Sequence, residues 1–325
     1  MRRGYPGALL CLGLTALACE SCRQGRTLER AARTHAEPSQ ESAVGSAPKP
    51  LNPAASAGSE LVWSYPKTEL GPMRVVIALP PRRAPEQRFP VLVALHGRGE
   101  ASKGVERGAR AWVDDYALPR AVTRLAAPPL EAADLESLYD PMQMHDLNAR
   151  LIEHPYRGLI VVCPYTPDIL TGDRAFSLAD PLARFIVDQL LPRVFRDTPA
   201  LGSARSTGID GVSLGGRAAL LVGLARAEAF GSVAALQPAF DRAEASALAE
   251  RAKSAHARNS QLKLRLLTSD GDFFQGATRA IAHALTRVGV PHEFVEVTGP
   301  HDYAFNRGPG VYEMLVFHDR ALRAP

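Results

Sequence analysis

The chain has 325 residues, of which 46% are hydrophobic, 22% charged and 6% aromatic, with 26 Gly and 26 Pro. That composition excludes a collagen-like repeat, an intrinsically disordered chain and a coiled coil, and it allows one large globular domain. Formal net charge is +4, and the basic residues are scattered with no interleaved aromatic stripe, which argues against nucleic acid as a partner.

The chain opens on Met1, Arg2 and Arg3, followed by an apolar run from Ala8 to Ala18. Basic residues, a short apolar stretch and small residues at its end predict a secretory signal peptide over residues 1–18, too short for a permanent span. Cys19 after Leu17-Ala18 resembles a bacterial lipobox, in which that cysteine carries the lipid; Ala16-Leu17-Ala18 equally suits an ordinary signal peptidase. The expected place is the cell envelope on its periplasmic or extracellular side, lipid-anchored through Cys19 or simply secreted. Residues 19–60 are Ser, Ala, Pro, Glu and Arg with almost no large apolar side chain, and cannot bury enough surface to fold. Such a tether of about 40 residues reaches on the order of 35 Å.

From about residue 61 to 325, short β-branched runs alternate with helical ones, which predicts an α/β domain. Strands are expected at Met73–Leu79, Val91–Leu95, Leu159–Cys163, Ser206–Asp210, Val233–Leu236, Leu262–Thr268 and Glu293–Val297, mostly continuous apolar runs, as for strands covered on both faces. Helical spacing recurs at Leu182, Phe185, Ile186, Leu190 and Val194, and at Ala277, Ala280, Ile281, Ala284, Leu285 and Val288. Right-handed crossovers then give a mostly parallel central sheet with helices on both faces and a ligand site at the carboxyl ends of the strands. Residues 101–157 fit no strand rhythm and are read as a part-helical insertion, a lid or pocket wall. Cys163 ends a strand as a small buried thiol.

Three pieces carry chemistry. Gly211-Val212-Ser213-Leu214-Gly215 lies between a strand and a helix, where a serine in a strained turn needs glycines two places before and after it, so Gly211 and Gly215 make a nucleophile elbow around Ser213. His96-Gly97-Arg98-Gly99 directly follows another strand. Its loop aims backbone N–H groups at the elbow, and we assign oxyanion donors to the amides of Arg98 and Leu214, with Gly97 as the alternate for the first; such donors contribute about 3 kcal/mol each. Finally, an acid and a histidine must follow the serine. Two later strands end in Ser269-Asp270-Gly271-Asp272 and in Gly299-Pro300-His301-Asp302, giving the order Ser213, Asp272, His301 with Asp270 competing for the acid role. His283 and His318 fall on helical runs as surface or packing residues. There is no H-E-x-x-H and no phosphate-binding glycine loop, so neither a metal nor a cofactor is expected.

From about Val75 to Arg323 these residues resemble the esterase family that includes esterase D, the enterochelin esterases and the bacterial mycolyltransferases, all α/β hydrolases. The likeness rests on Val91 to Gly97, Phe185 to Pro192, Asp210 to Gly216, Phe230 to Val233 and Pro300 to Tyr303. It implies an α/β-hydrolase fold, Ser213 as nucleophile, His301 as base and Asp272 as acid. Two departures stand out: a longer insertion after Gly99, and Gln237 where many relatives have Ser before the proline. The expected function is a serine esterase that cleaves a small carboxylic ester through an acyl-enzyme. An acyltransferase of the same fold and a non-catalytic envelope binding module are the alternatives.

Overall fold

The structure, a computed structural model, describes residues 58–81, 84–169 and 179–322. The signal peptide, Cys19 and the tether up to residue 57 lie outside the described residues. A single eight-stranded sheet has the order β1-β2-β4-β3-β5-β6-β7-β8. Its strands are β1 Glu60–Tyr65, β2 Met73–Ala78, β3 Val91–Leu95, β4 Ile160–Pro164, β5 Thr207–Gly211, β6 Ser232–Leu236, β7 Lys263–Gly271 and β8 Glu293–Pro300. Pairing is antiparallel from β1 to β2 and from β2 to β4, and parallel everywhere else. This is an α/β-hydrolase fold.

β3, β4, β5 and β6 are buried along their whole length, which is why β3, β4 and β6 are small or apolar runs; β5 breaks the run with Asp210. β1 was not expected. It is an edge strand whose residues alternate between exposed and half-buried, so Glu60, Ser64 and the Pro/Ser-rich sequence before it mask the signal.

The helix expected over Leu182 to Val194 forms in three parts: Ala179–Arg184, a π turn at Phe185–Leu190 and Leu191–Asp197. Pro192 has no N–H to donate back to the preceding turn, so the ladder slips by one residue there.

Segment 101–157 packs into the core and is not a detached lid. Its helices include Leu118–Leu125 and Pro141–Glu153, the second started by Asp140, whose carboxylate accepts from the amides of Met142 and Gln143. Trp112, Tyr116, Leu118, Leu147 and Leu151 are buried in one core with Val76, Leu92 and Val161 of the sheet and Tyr312 and Leu315 of the helix Val311–Ala321. Each large apolar side chain so buried contributes roughly 1.5–3 kcal/mol, more than a free-swinging lid could forgo. Cys163 is buried, and burial pushes its thiol up and out of reactivity.

Candidate active site

At the end of β5 the Val212 amide still donates to Leu95 O (3.1 Å), and then the chain turns sharply. Ser213 has φ +57° and ψ −116°, a conformation that costs on the order of 1–3 kcal/mol for a residue with a side chain. It is held by its own amide donating to Leu236 O (2.9 Å) and its carbonyl accepting from Ala239 N (3.0 Å). A side chain at position 211 would lie 2.7 Å from Leu95 O, and one at 215 would lie 2.6 Å from His96 O, so only glycine fits at either. Helix Leu214–Ala225 starts immediately, placing its positive end under the serine.

Asp272 and His301 meet. The imidazole Nδ1–H donates to Asp272 Oδ1 at 2.7 Å, the same oxygen accepts from Phe274 N (2.9 Å), and Oδ2 accepts from the Thr268 hydroxyl (2.7 Å). A β-bulge at Ser269–Gly271 turns the end of β7 so that the buried Asp272 faces the imidazole. Asp270 is exposed and accepts from Gly299 N (2.9 Å), pinning the turn that ends β8. Asp302 points away to cap the short helix Tyr303–Phe305. The structure joins acid to imidazole, while the Ser213 hydroxyl makes no hydrogen bond to a described residue. Such a contact commonly tightens only when substrate is bound.

β8 and β5 are three strand spacings apart, about 14 Å, so the histidine has to be carried back across the sheet edge. Gly299, at φ +148°, allows the turn. Gln237 then fixes it: its side-chain amide donates to Pro300 O (3.0 Å) and to Ser269 Oγ (2.6 Å), while its own backbone sits at φ +44°. Sequence reasoning marked Gln237 only as a departure from relatives. A side chain long enough to reach from the end of β6 to the residue before His301 was the signal.

The loop after β3 is equally braced. Buried His96 accepts from Thr166 N at Nε2 (2.8 Å) and donates from Nδ1 to Gly97 O (2.9 Å), which fixes one neutral tautomer. The Gly97 amide donates to the Tyr116 hydroxyl (3.3 Å) and is thereby engaged. The Arg98 and Leu214 amides, each at the first position of a helix, donate to no described residue. Tyr116 in turn donates to the buried Glu100 carboxylate, whose other oxygen accepts from Tyr303 OH at 2.5 Å, with the Lys103 ammonium 3.7 Å away. Burial and the Glu100 charge push Tyr116 up, and the bond to Glu100 pushes Tyr303 up, so both hydroxyls stay protonated. Sequence reasoning gave none of Glu100, Tyr116 and Tyr303 a role at the site, Tyr303 entering only as part of the family likeness, because no motif spacing links the three. The Arg98 side chain turns outward to Asp168 (2.7 Å).

A sealed Ser-His-Asp cluster lies beneath the elbow. His318 Nε2–H donates to Asp210 Oδ2 (3.1 Å), the Ser232 hydroxyl donates to His318 Nδ1 (2.8 Å), and Asp210 Oδ1 accepts from Gly211 N (2.7 Å). All three side chains are sealed from solvent, so the cluster cannot meet a substrate and instead anchors the last turn of β5. Burial pushes His318 down and His96 down to about 4. An unfolded imidazole takes its proton near 6.5. From there down to about 4 the unfolded chain therefore binds more protons, and stability falls as the solution is acidified. Thermal unfolding followed from about pH 7.5 to 4.5 should show a falling Tm, and His96→Asn should flatten the slope; an unchanged slope would remove His96 from this account.

Comparison with known proteins agrees with the geometry. Residues 173–305 match the family model described as "Putative esterase". No curated protein matches the sequence. Among solved structures, the chain is similar to a ferulic acid esterase (18% identity, TM-score 0.61, covering 82% of this chain and 99% of that one). It is also similar to an S-formylglutathione hydrolase from Staphylococcus aureus (16%, TM-score 0.57, covering 83% and 99%). A third is the enterobactin esterase of Shigella flexneri (21%, TM-score 0.54, covering 83% of this chain and 60% of that one). At these identities the structures establish a shared α/β-hydrolase fold. With the family match over the elbow and histidine segments, the chain is an esterase.

Proposed function

We propose that this esterase cleaves a carboxylic ester through an acyl-enzyme on Ser213. The reading is carried by one observation: a buried, triply bonded Asp272 holds the His301 imidazole at the sheet edge where the strained elbow presents Ser213. His301 Nε2, free because Nδ1 is committed to the carboxylate, takes the serine proton as Oγ attacks the substrate carbonyl. The oxyanion that forms accepts from the Arg98 and Leu214 amides. Collapse breaks the bond to the alcohol oxygen, which leaves with the proton from His301. Water, deprotonated by the same imidazole, then attacks the acyl carbon and releases the acid and Ser213. The same proposal has the mature chain tethered to the cell envelope by a lipid on Cys19.

A fluorophosphonate probe should label the protein, and Ser213→Ala should abolish labelling. A folded protein that takes no label would favour the binding-module alternative. Labelled palmitate should enter the wild type and not Cys19→Ala; equal incorporation would remove the anchor.

A further inference from the structure

Aromatic side chains surround the His301 imidazole. Six large apolar or aromatic side chains are exposed among the described residues, and two of them belong here: Phe273 (72% exposed), which follows Asp272 and packs on the imidazole, and Tyr303 (40%), two residues after His301. Phe273 lies against the face of the ring, with centroids 4.1 Å apart and planes 36° apart, and Phe274 meets it edge-on at 5.5 Å. Stacking on the face leaves the edge nitrogens unobstructed. The backbone here is fixed, since Phe274 N is bonded to the same carboxylate oxygen that receives His301. Tyr303 is fixed too, its hydroxyl held by Glu100, so its ring is presented and its polar end is spent.

Solvent-exposed aromatic rings beside a catalytic base call for an apolar occupant. On the reading above, the imidazole returns its proton to the departing alcohol oxygen, so the group nearest His301 is the alcohol half of the ester and not the acyl half. We infer that Phe273 and Tyr303 line the leaving-group subsite, and that this esterase selects esters of arylmethyl and other flat aromatic alcohols. Phe273 is then a specificity residue, offering its free face to the alcohol's ring in the offset or edge-on arrangement that aromatic pairs favour.

The inference rests on the proposed acyl-enzyme, and the test separates the two. Benzyl and ethyl esters of one acid are compared for wild type, Phe273→Ala and Phe273→Tyr, with the rate of fluorophosphonate labelling measured on each. The ratio of kcat/KM for benzyl over ethyl should fall about tenfold in Phe273→Ala, at the lower end of what a hydrophobic contact discriminates, and should persist in Phe273→Tyr. Across acids of increasing chain length at fixed ethanol, the relative rates of wild type and Phe273→Ala should not diverge. Equal losses on both alcohols would overturn the subsite and leave Phe273 as a support for the imidazole, while a change along the acid series would place it on the acyl side. Failure of the wild type to label at all would sink the acyl-enzyme itself.

Discussion

Asp272→Asn lowers kcat on an activated ester by about 10²–10⁴-fold with KM little changed. Phe274 N and His301 Nδ1 both require an acceptor at Oδ1, so the asparagine oxygen takes that place and its NH₂ falls toward Thr268. The threonine hydroxyl can turn to accept it. The imidazole tautomer therefore survives, and the loss reports the missing negative charge beneath the imidazolium; the upper limit is the cost seen when the tautomer is also wrong. Asp270→Asn should change kcat by less than about threefold, because an amide oxygen can accept from Gly299 N as the carboxylate does. Steady-state kinetics on a p-nitrophenyl ester decides between them, and a larger loss at 270 would move the acid role there.

Seven of the eight strands were legible, most of them because strands covered on both faces are written as apolar runs. β1 was hidden by its edge position. The elbow was legible for a physical reason as well: glycines at 211 and 215 are forced by backbone atoms that any side chain would strike. Spacing left Asp270 and Asp272 open, since the β-bulge that aims the second at His301 depends on pairing with β8 and leaves no mark within β7 itself. Gln237, Glu100 and Tyr116 act through partners between 16 and 203 residues away. Such contacts come from the packing of separate elements, and a single sequence does not reveal them.

The largest stability effect is expected far from the serine, at Glu313. Its carboxylate accepts from Arg150 Nη2 (2.8 Å) and the Tyr139 hydroxyl (3.0 Å), and pairs with Arg265 Nη1 at 3.2 Å. Arg265 is itself buried in β7, stacked on Phe317 and bonded to Glu313 O (2.8 Å). Burial alone pushes the Glu313 carboxyl up, but Arg150 and Arg265 outweigh it and hold it below the usual range. This contribution is present above the ordinary glutamate pKa and is lost as pH falls through the depressed one. Glu313→Ala strands the Arg265 guanidinium without a counter-charge and should cost about 3–5 kcal/mol, lowering Tm by roughly 10 °C. Replacing both partners, as in Glu313→Leu with Arg265→Met, should recover most of that loss, because the cost lies in the orphaned charge and not in the absence of the pair. The network ties the inserted segment, through Arg150 and Tyr139, to the strand whose far end leads into Asp272. At 25 °C the Glu313→Ala protein should therefore label with fluorophosphonate at near the wild-type rate and lose labelling at a lower temperature on heating. A double variant no more stable than the single one would show that the ion pair itself, and not the stranded arginine, carries the stability.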